Sequence, residues 1–247
     1  MKTMLITGGS RGIGATTARL AAENGFAVIV NYHQNQAAAE KVVAEIAAKG
    51  GEAVAIRADI SQEKDILRLF AKIDQLYGNL HALVNNAGIL EQQMRLEAMD
   101  EARLQRIFTT NITGQLLCTR EAIKRMSLKN GGQGGTIVNV SSIAARTGAP
   151  HEYIDYAVSK GAIDTFTIGL SKEVAEEGIR VNAVRPGFIY TDIHAAGGEP
   201  GRVDRIKDSI PLQRGGLASE VAEAILWLST EKSSFSTGIF IDVTGGR

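Results

Sequence analysis

The start of the chain restricts its fold more than any later stretch. Met4-Leu5-Ile6-Thr7 has the apolar character of a buried strand, Gly8 to Gly14 holds four glycines, and Ala15–Glu23 has helical composition. A strand that turns through glycines directly into a helix is the first half of a βαβ unit. The alternation continues with a strand at Phe26–Val30, an amphipathic helix at Gln36–Ala48 closed by Gly50-Gly51, and a third strand at Ala53–Ile56. Ser61 then predicts an N-cap for a helix reaching about Tyr77. A strand at Leu80–Val84, a mostly helical region from about Leu96 to Met126, and a strand at Thr136–Val140 follow. The reading closes with a helix from about Tyr153 to Glu176 and strands at Arg180–Val184 and Ile239–Val243.

Strand-helix alternation of this kind implies parallel strands joined by right-handed crossovers, with helices on both faces. The expected fold is therefore α/β: a doubly wound parallel seven-stranded sheet, Rossmann-like, forming a single domain over residues 1–247. The exception to the periodicity is about 186–216, where glycines and prolines are frequent. An irregular segment of that length after a parallel strand predicts a substrate loop or lid, since ligands of open α/β sheets bind beyond the carboxyl ends of the strands.

Lys and Arg number 27 and so do Asp and Glu, so the basic excess of a nucleic-acid binder is missing. No apolar run is long enough for a membrane span, and the N-terminal apolar stretch is too short for a secretory signal. Cys118 is the only cysteine, which excludes an internal disulfide, and His33, His81, His151 and His194 lack metal-ligand spacing. The expectations are no metal, no nucleic acid, no membrane, and a cytoplasmic location.

Glycines after the first strand permit a tight turn and close approach of backbone to a phosphate, while the following helix offers free N–H groups to a pyrophosphate. Dinucleotide binders that use NAD usually place an acid about 20 residues further on, against the ribose hydroxyl. The second strand ends instead in Asn31-Tyr32-His33, and Arg11 in the turn can neutralise a 2′-phosphate. NADP(H) is preferred over NAD(H), which stays possible.

Tyr156 and Lys160 stand four apart on one helical face. A free tyrosine has a pKa near 10, and a neighbouring ammonium lowers it toward useful acid/base work. Ser142, beyond the fifth strand, offers a hydroxyl to a reacting oxygen; its neighbour Ser141 reads more readily as a strand-end serine.

Together these segments resemble the short-chain dehydrogenase/reductase family over nearly the whole chain. The turn Gly8-x-x-x-Gly12-x-Gly14 is similar to its TGxxxGIG motif, Asn85-Asn86-Ala87-Gly88 to its NNAG signature, and Asn111-Ile112-Thr113-Gly114 to its N-x-x-G segment. Ala58-Asp59-Ile60, Val140-Ser141-Ser142, Tyr156-x-x-x-Lys160, Pro186-Gly187 with Thr191, and Thr237-Gly238 through Gly245-Gly246 follow in the family's order. One departure is that the serine lies one residue closer to the tyrosine in many members, which puts an extra residue within Gly148–Asp155.

The resemblance implies hydride transfer between NADP(H) and a small-molecule carbonyl/alcohol pair. Tyr156 would be the acid/base, Lys160 would lower its pKa and hold the nicotinamide ribose, Ser142 would orient the substrate oxygen, and Asn111 would support Lys160 through a water. Gly8, Ser10, Arg11, Gly12, Ile13, Gly14 and Asn31 would hold phosphates and ribose, with Asp59 and Ile60 near the adenine and Asn86, Ala87 and Gly88 along the adenosine. Pro186, Gly187, Ile189 and Thr191 would complete the cofactor contacts. A homotetramer is also implied, with the helices near 96–126 and 153–176 as dimer surfaces and Phe166, Ile168 and Leu170 as a self-complementary face. A dinucleotide-sensing protein without turnover is the alternative. Of the remaining residues, Cys118 reads as a buried small hydrophobe, His194 as a solvated loop histidine, Asp192 as a helix cap or a charge-recognition residue, and Trp227 with Ile225 and Leu228 as core or interface.

Overall fold

A computed structural model describes residues 1–247. The elements run β1 (Lys2–Ile6), α1 (Gly12–Glu23), β2 (Phe26–Tyr32), α2 (Gln36–Ala48), β3 (Ala53–Arg57), α3 (Glu63–Tyr77), β4 (Ala82–Asn85), α4 (Glu101–Phe108) and α5 (Gln115–Met126). They continue with β5 (Gly135–Val140), α6 (Ala144–Thr147), α7 (Ile154–Glu173), β6 (Ile179–Pro186), α8 (Ile193–Ala196), α9 (Arg202–Ile206), α10 (Ala218–Leu228) and β7 (Phe240–Val243).

All seven strands are parallel, in the order β3-β2-β1-β4-β5-β6-β7. The two-residue period of a strand sorts the side chains between the two faces. Met4, Ile6, Val28, Val30, Val84 and Val138 pack under α1, α2 and α10. Leu5, Ile29, Leu83 and Ile137 face the other way, into a core with Phe70 of α3, Met126 of α5 and Leu170 of α7. From β1 the chain winds outward to β3, then returns to β4 and winds out the other way to β7. The carboxyl ends of β1 and β4 therefore diverge at a switch point, where an open α/β sheet forms its ligand crevice.

Several local expectations need correction. Ser61 is not the cap of α3: the helix starts one residue later, after Gln62, without a side-chain cap. The Ser61 N–H instead donates to Asp59 Oδ1 at 2.9 Å. The helical region 96–126 is broken by a π-helical turn at Thr109–Gly114, between α4 and α5. Phe166 and Leu170 pack inward against the core, leaving only Ile168 of that trio exposed on α7. The reading of Ile225 and Leu228 as core holds, and Trp227 beside them is partly exposed. The segment beyond β6 holds short helices rather than open coil. Its two feet are joined, since Tyr190 N–H donates to Gly216 O and Gly216 N–H donates to Phe188 O. No helix is long and apolar enough to cross a membrane.

Candidate active site

A cleft of about 1220 Å³ runs across the carboxyl ends of the strands. It is lined at one end by the glycine turn and at the other by α7 and the segment 186–202.

The glycine end is held by backbone and short side chains. Gly8 and Gly12 adopt φ of +62° and +53°, which only glycine takes without strain. A Cβ on Gly14 would lie 2.5 Å from both the Gly8 carbonyl and Asn86 Nδ2. Asn86 Nδ2 donates to the carbonyls of Thr7 and Gly8, at 2.9 and 3.0 Å, which ties the end of β4 to the turn. Arg11 precedes α1 and provides no side-chain cap, so the first N–H groups of the helix are left for a ligand. Gly12 and Ile13 line the cleft there, beside Ser10 and the exposed Arg11. This cradle, with a helix end aimed at it, fits a dinucleotide pyrophosphate.

Asn31 does not present a free amide to a ribose. Its Oδ1 accepts the Gly8 N–H at 3.2 Å, while Nδ2 donates to the carbonyls of Ile56 and Ala58 at 3.3 and 3.0 Å. The side chain is buried and shapes the turn from below. At the adjacent wall Asp59 Oδ2 lies 3.5 Å from His33 Nε2. Ile60 is buried, and its carbonyl would meet a Cβ on Gly114 at 2.4 Å, so the connection after β3 and the π-helical turn approach in contact there.

At the other end, α7 presents Tyr156 and Lys160 to the cleft from one face. The helix start is anchored by a buried pair in which Arg103 Nε of α4 donates to Asp155 Oδ2 at 2.7 Å; Asp155 Oδ1 accepts the Tyr156 N–H. Lys160 Nζ donates to the Val140 carbonyl at 2.8 Å and lies 5.5 Å from the Tyr156 ring centre. Burial pushes the Tyr156 hydroxyl up to about 12, opposed by the Ser142 hydroxyl and by the positive charge of Arg202. Burial pushes the Lys160 ammonium down to about 8, opposed by Asp164. The neighbouring ammonium therefore does not bring this tyrosine below its ordinary value.

Ser142 lines the cleft, and its Oγ accepts the Ala144 N–H at 3.1 Å. Ser141 points behind the site, donating to Asp164 Oδ1 at 2.6 Å. Asp164 also receives Arg185 Nε at 2.9 Å. Asn111 is buried in the π-helical turn, where Oδ1 accepts Ile89 N–H at 2.8 Å and Nδ2 donates to Ile89 O and to Ser159 Oγ. A Cβ on Gly88 would stand 3.4 Å from Asn111 Oδ1 and 3.5 Å from Lys160 Nζ, so all three residues meet at one point. Ala87 and Gly88 continue the same wall; Pro186, Gly187 and Ile189 close it from β6. The Thr191 methyl would lie 3.3 Å from a Cβ on Gly12, which joins the lid to the glycine turn.

One reading of the segment beyond β6 fails and another is narrowed. His194 is buried rather than solvated, with Nε2 3.0 Å from the Ile189 carbonyl. Asp192 caps α8 through its backbone carbonyl, not its carboxylate. Glu152, Asp164 and Arg202 stand at the site outside the sequence expectations. For Asp164 a usable signal was its i+4 spacing from Lys160; for the other two there was none, because their pairing spans the lid. Cys118 is buried, and burial pushes its thiol up to about 12, as suits an inert core residue.

A family model described as "Enoyl-(Acyl carrier protein) reductase" matches residues 8–247. The chain is 60% identical over 247 residues to "Uncharacterized oxidoreductase YgfF" of Escherichia coli, covering 100% of both chains. It is 39% identical to "3-oxoacyl-[acyl-carrier-protein] reductase" of Synechocystis, over 98% of this chain and 95% of that one. The crystal structure of a short-chain type dehydrogenase/reductase from Mycobacterium marinum superposes with a TM-score of 0.92 at 33% identity, covering 99% of this chain and 94% of that one.

Proposed function

Because the chain belongs to the short-chain dehydrogenase/reductase family and is an NAD(P)-dependent oxidoreductase, we propose that it uses NADP(H) to interconvert a ketone-type carbonyl and a secondary alcohol. The observation that carries this reading is the placing of Ser142, Tyr156 and Lys160 along one wall of a cleft whose far end is the glycine cradle.

The dinucleotide, when bound, supplies or accepts the hydride. The chain does the rest. With its hydroxyl held up to about 12, Tyr156 is fully protonated at neutral pH and can give its proton to a carbonyl oxygen as negative charge develops there. Ser142 Oγ donates to the same oxygen and orients it. Lys160, fixed by the Val140 carbonyl, holds an ammonium beside the Tyr156 ring and stabilises the phenolate that proton transfer leaves. Asn111 clamps Ile89 against α7 and so keeps the floor under Lys160 in place. Hydroxyl donors of this kind suit an oxygen that gains electrons and a proton.

The 2′-phosphate preference rests on Arg11, exposed in the turn, and on the end of β2. Asn31 is turned inward there and Tyr32 is buried, so the end of β2 itself carries no acid against a phosphate; the nearest in the cleft wall is Asp59, beside His33. Assembly as a homotetramer of this single domain is part of the same reading; Leu116 of α5 with Val158 and Ile168 of α7 are apolar and exposed on the helices that would pair.

The test is Tyr156→Phe. Reduction of a panel of ketones and 3-oxoacyl thioesters, followed by nicotinamide absorbance, should fall about 10²–10⁴-fold. NADPH binding, titrated by fluorescence, should stay as in the wild type. Turnover close to wild type would remove Tyr156 from the proton transfer.

A further inference from the structure

The lid end of the cleft contains polar groups that hydride and proton transfer leave unexplained. Arg202 of α9 lines the cleft yet is only 7% exposed. Its guanidinium is stacked 4.7 Å from the ring centre of Tyr153 and 5.4 Å from that of Phe188. Tyr153 lies three residues before Tyr156, so this stack sits about one helical turn from the reacting hydroxyl. Glu152 takes one bond from Nη2. Nε is sealed from solvent without a partner, and Nη1 makes no hydrogen bond within the chain.

A guanidinium carries five N–H donors in a planar fork that matches two oxygens at once. Burying it with a single bond made leaves most of that capacity idle at a large desolvation cost. The Glu152 carboxylate does not balance it alone, because Arg205 stands 3.8 Å from the same group. Arg247 adds a further guanidinium, 4.8 Å from the same Phe188 ring, whose one hydrogen bond goes to the Ser209 hydroxyl. An independent sign of a missing ligand is His194 on the neighbouring helix α8, whose Nδ1 is buried with no partner. Polar atoms left unpaired in the interior call for an occupant.

We propose that Arg202 receives a carboxylate of the substrate, so that the carbonyl reduced at Tyr156 belongs to a short oxo acid and the alcohol formed is the corresponding hydroxy acid. The assignment rests on the carbonyl-reduction reading above. A planar, singly charged carboxylate suits one partly engaged arginine; a thioester-linked substrate offers no such group.

The experiment measures kcat/KM with NADPH for 2-, 3- and 4-oxo acids and, beside each, its methyl ester. Wild type, Arg202→Gln, Arg202→Lys and Glu152→Gln are compared, with thermal melting as a check on folding. Wild type should prefer an acid over its ester by about 10–100-fold, the scale of a charge-assisted pair. Arg202→Gln should bring that ratio close to one, mainly by raising KM for the acid; Arg202→Lys should restore part of it. Glu152→Gln should keep the preference. If Arg202 only fastens the lid to Glu152, both glutamine variants lower acid and ester together and the ratio survives, which overturns the assignment. Wild-type turnover of esters as good as that of acids overturns it too while leaving carbonyl reduction intact. Turnover of neither acid nor ester while ketones or 3-oxoacyl thioesters are reduced overturns this assignment alone; turnover of none of them removes the underlying reading with it.

Discussion

At the glycine end of the cleft the bonds that hold the site run between backbone groups and short buried amides and hydroxyls. Thr7 Oγ1 accepts the N–H groups of Asn86 and Ala87, and Asn86 and Asn31 spend their amides on the carbonyls of Thr7, Gly8, Ile56 and Ala58. At the lid end they run between long charged side chains: Glu152 with Arg202, and Glu199 with Arg205 and Gln93. The first kind is local, desolvated and rigid. The second, apart from the buried Arg202, is partly exposed, screened by salt, and free to part and re-form. The glycine end is thus preformed, and the far end is held by contacts that can open.

The widest effect expected from breaking this contrast is at the turn. Arg11→Ala should weaken NADPH about 10–150-fold and leave NADH close to wild type, since only the 2′-phosphate loses its partner. Titrating both cofactors checks it, and equal losses would reduce Arg11 to a shaper of the turn. Asn31→Asp probes the rigidity itself. A carboxylate there faces the carbonyls of Ile56 and Ala58 and loses the donors that Nδ2 gave them. The variant should lose about 1–3 kcal/mol of stability by denaturant unfolding and bind NADPH and NADH both more weakly, not exchange one for the other.

A smaller, directional effect comes from Lys160. Its ammonium is pushed down to about 8, so the active protonated form is lost as pH rises through that value. The free protein's profile, kcat/KM with NADPH varied, should fall above about pH 8. Asp164 is the charge that opposes the shift, so Asp164→Asn should move that alkaline limb to lower pH. The sign for stability is opposite. The unfolded chain holds this proton up to its ordinary value near 10.5, so Lys160's contribution to stability rises with pH between about 8 and there. The smallest effect belongs to the lid surface. Arg205→Ala removes exposed pairs to Glu199 and Glu152 and should change substrate KM by about 2–5-fold, less at high salt.

What could be read ahead of the structure follows the same division. The succession of parallel strands and helices, the glycine cradle and the Tyr156–Lys160 face rest on local periodicity and spacing, which a chain displays in one dimension. The π-helical turn around Asn111 does not, because one widened turn leaves the residue pattern of a helix almost unchanged. Asn31 was assigned to the ribose on its place at the end of β2, but which way an amide turns is settled by β3, over twenty residues on. The lid was recognisable only as irregular. Its contents depend on partners such as Gln93 with Glu199 and Glu152 with Arg202, which no window along the sequence brings together.

The joined feet of the lid, Tyr190 and Phe188 against Gly216, have a consequence for how such a protein can diversify. A loop whose ends are already pinned side by side feels changes in its length only weakly, about 0.6 kcal/mol for each doubling. Residues between the feet other than those tied to the cleft, such as Thr191 and Arg202, can be exchanged, and the stretches around them lengthened or shortened, while β6, α7 and the reacting groups keep their positions. The segment is in effect an interchangeable cassette. A family built on this plan can vary what it accepts by grafting new cassettes onto a fixed chemical base, and a laboratory can attempt the same graft.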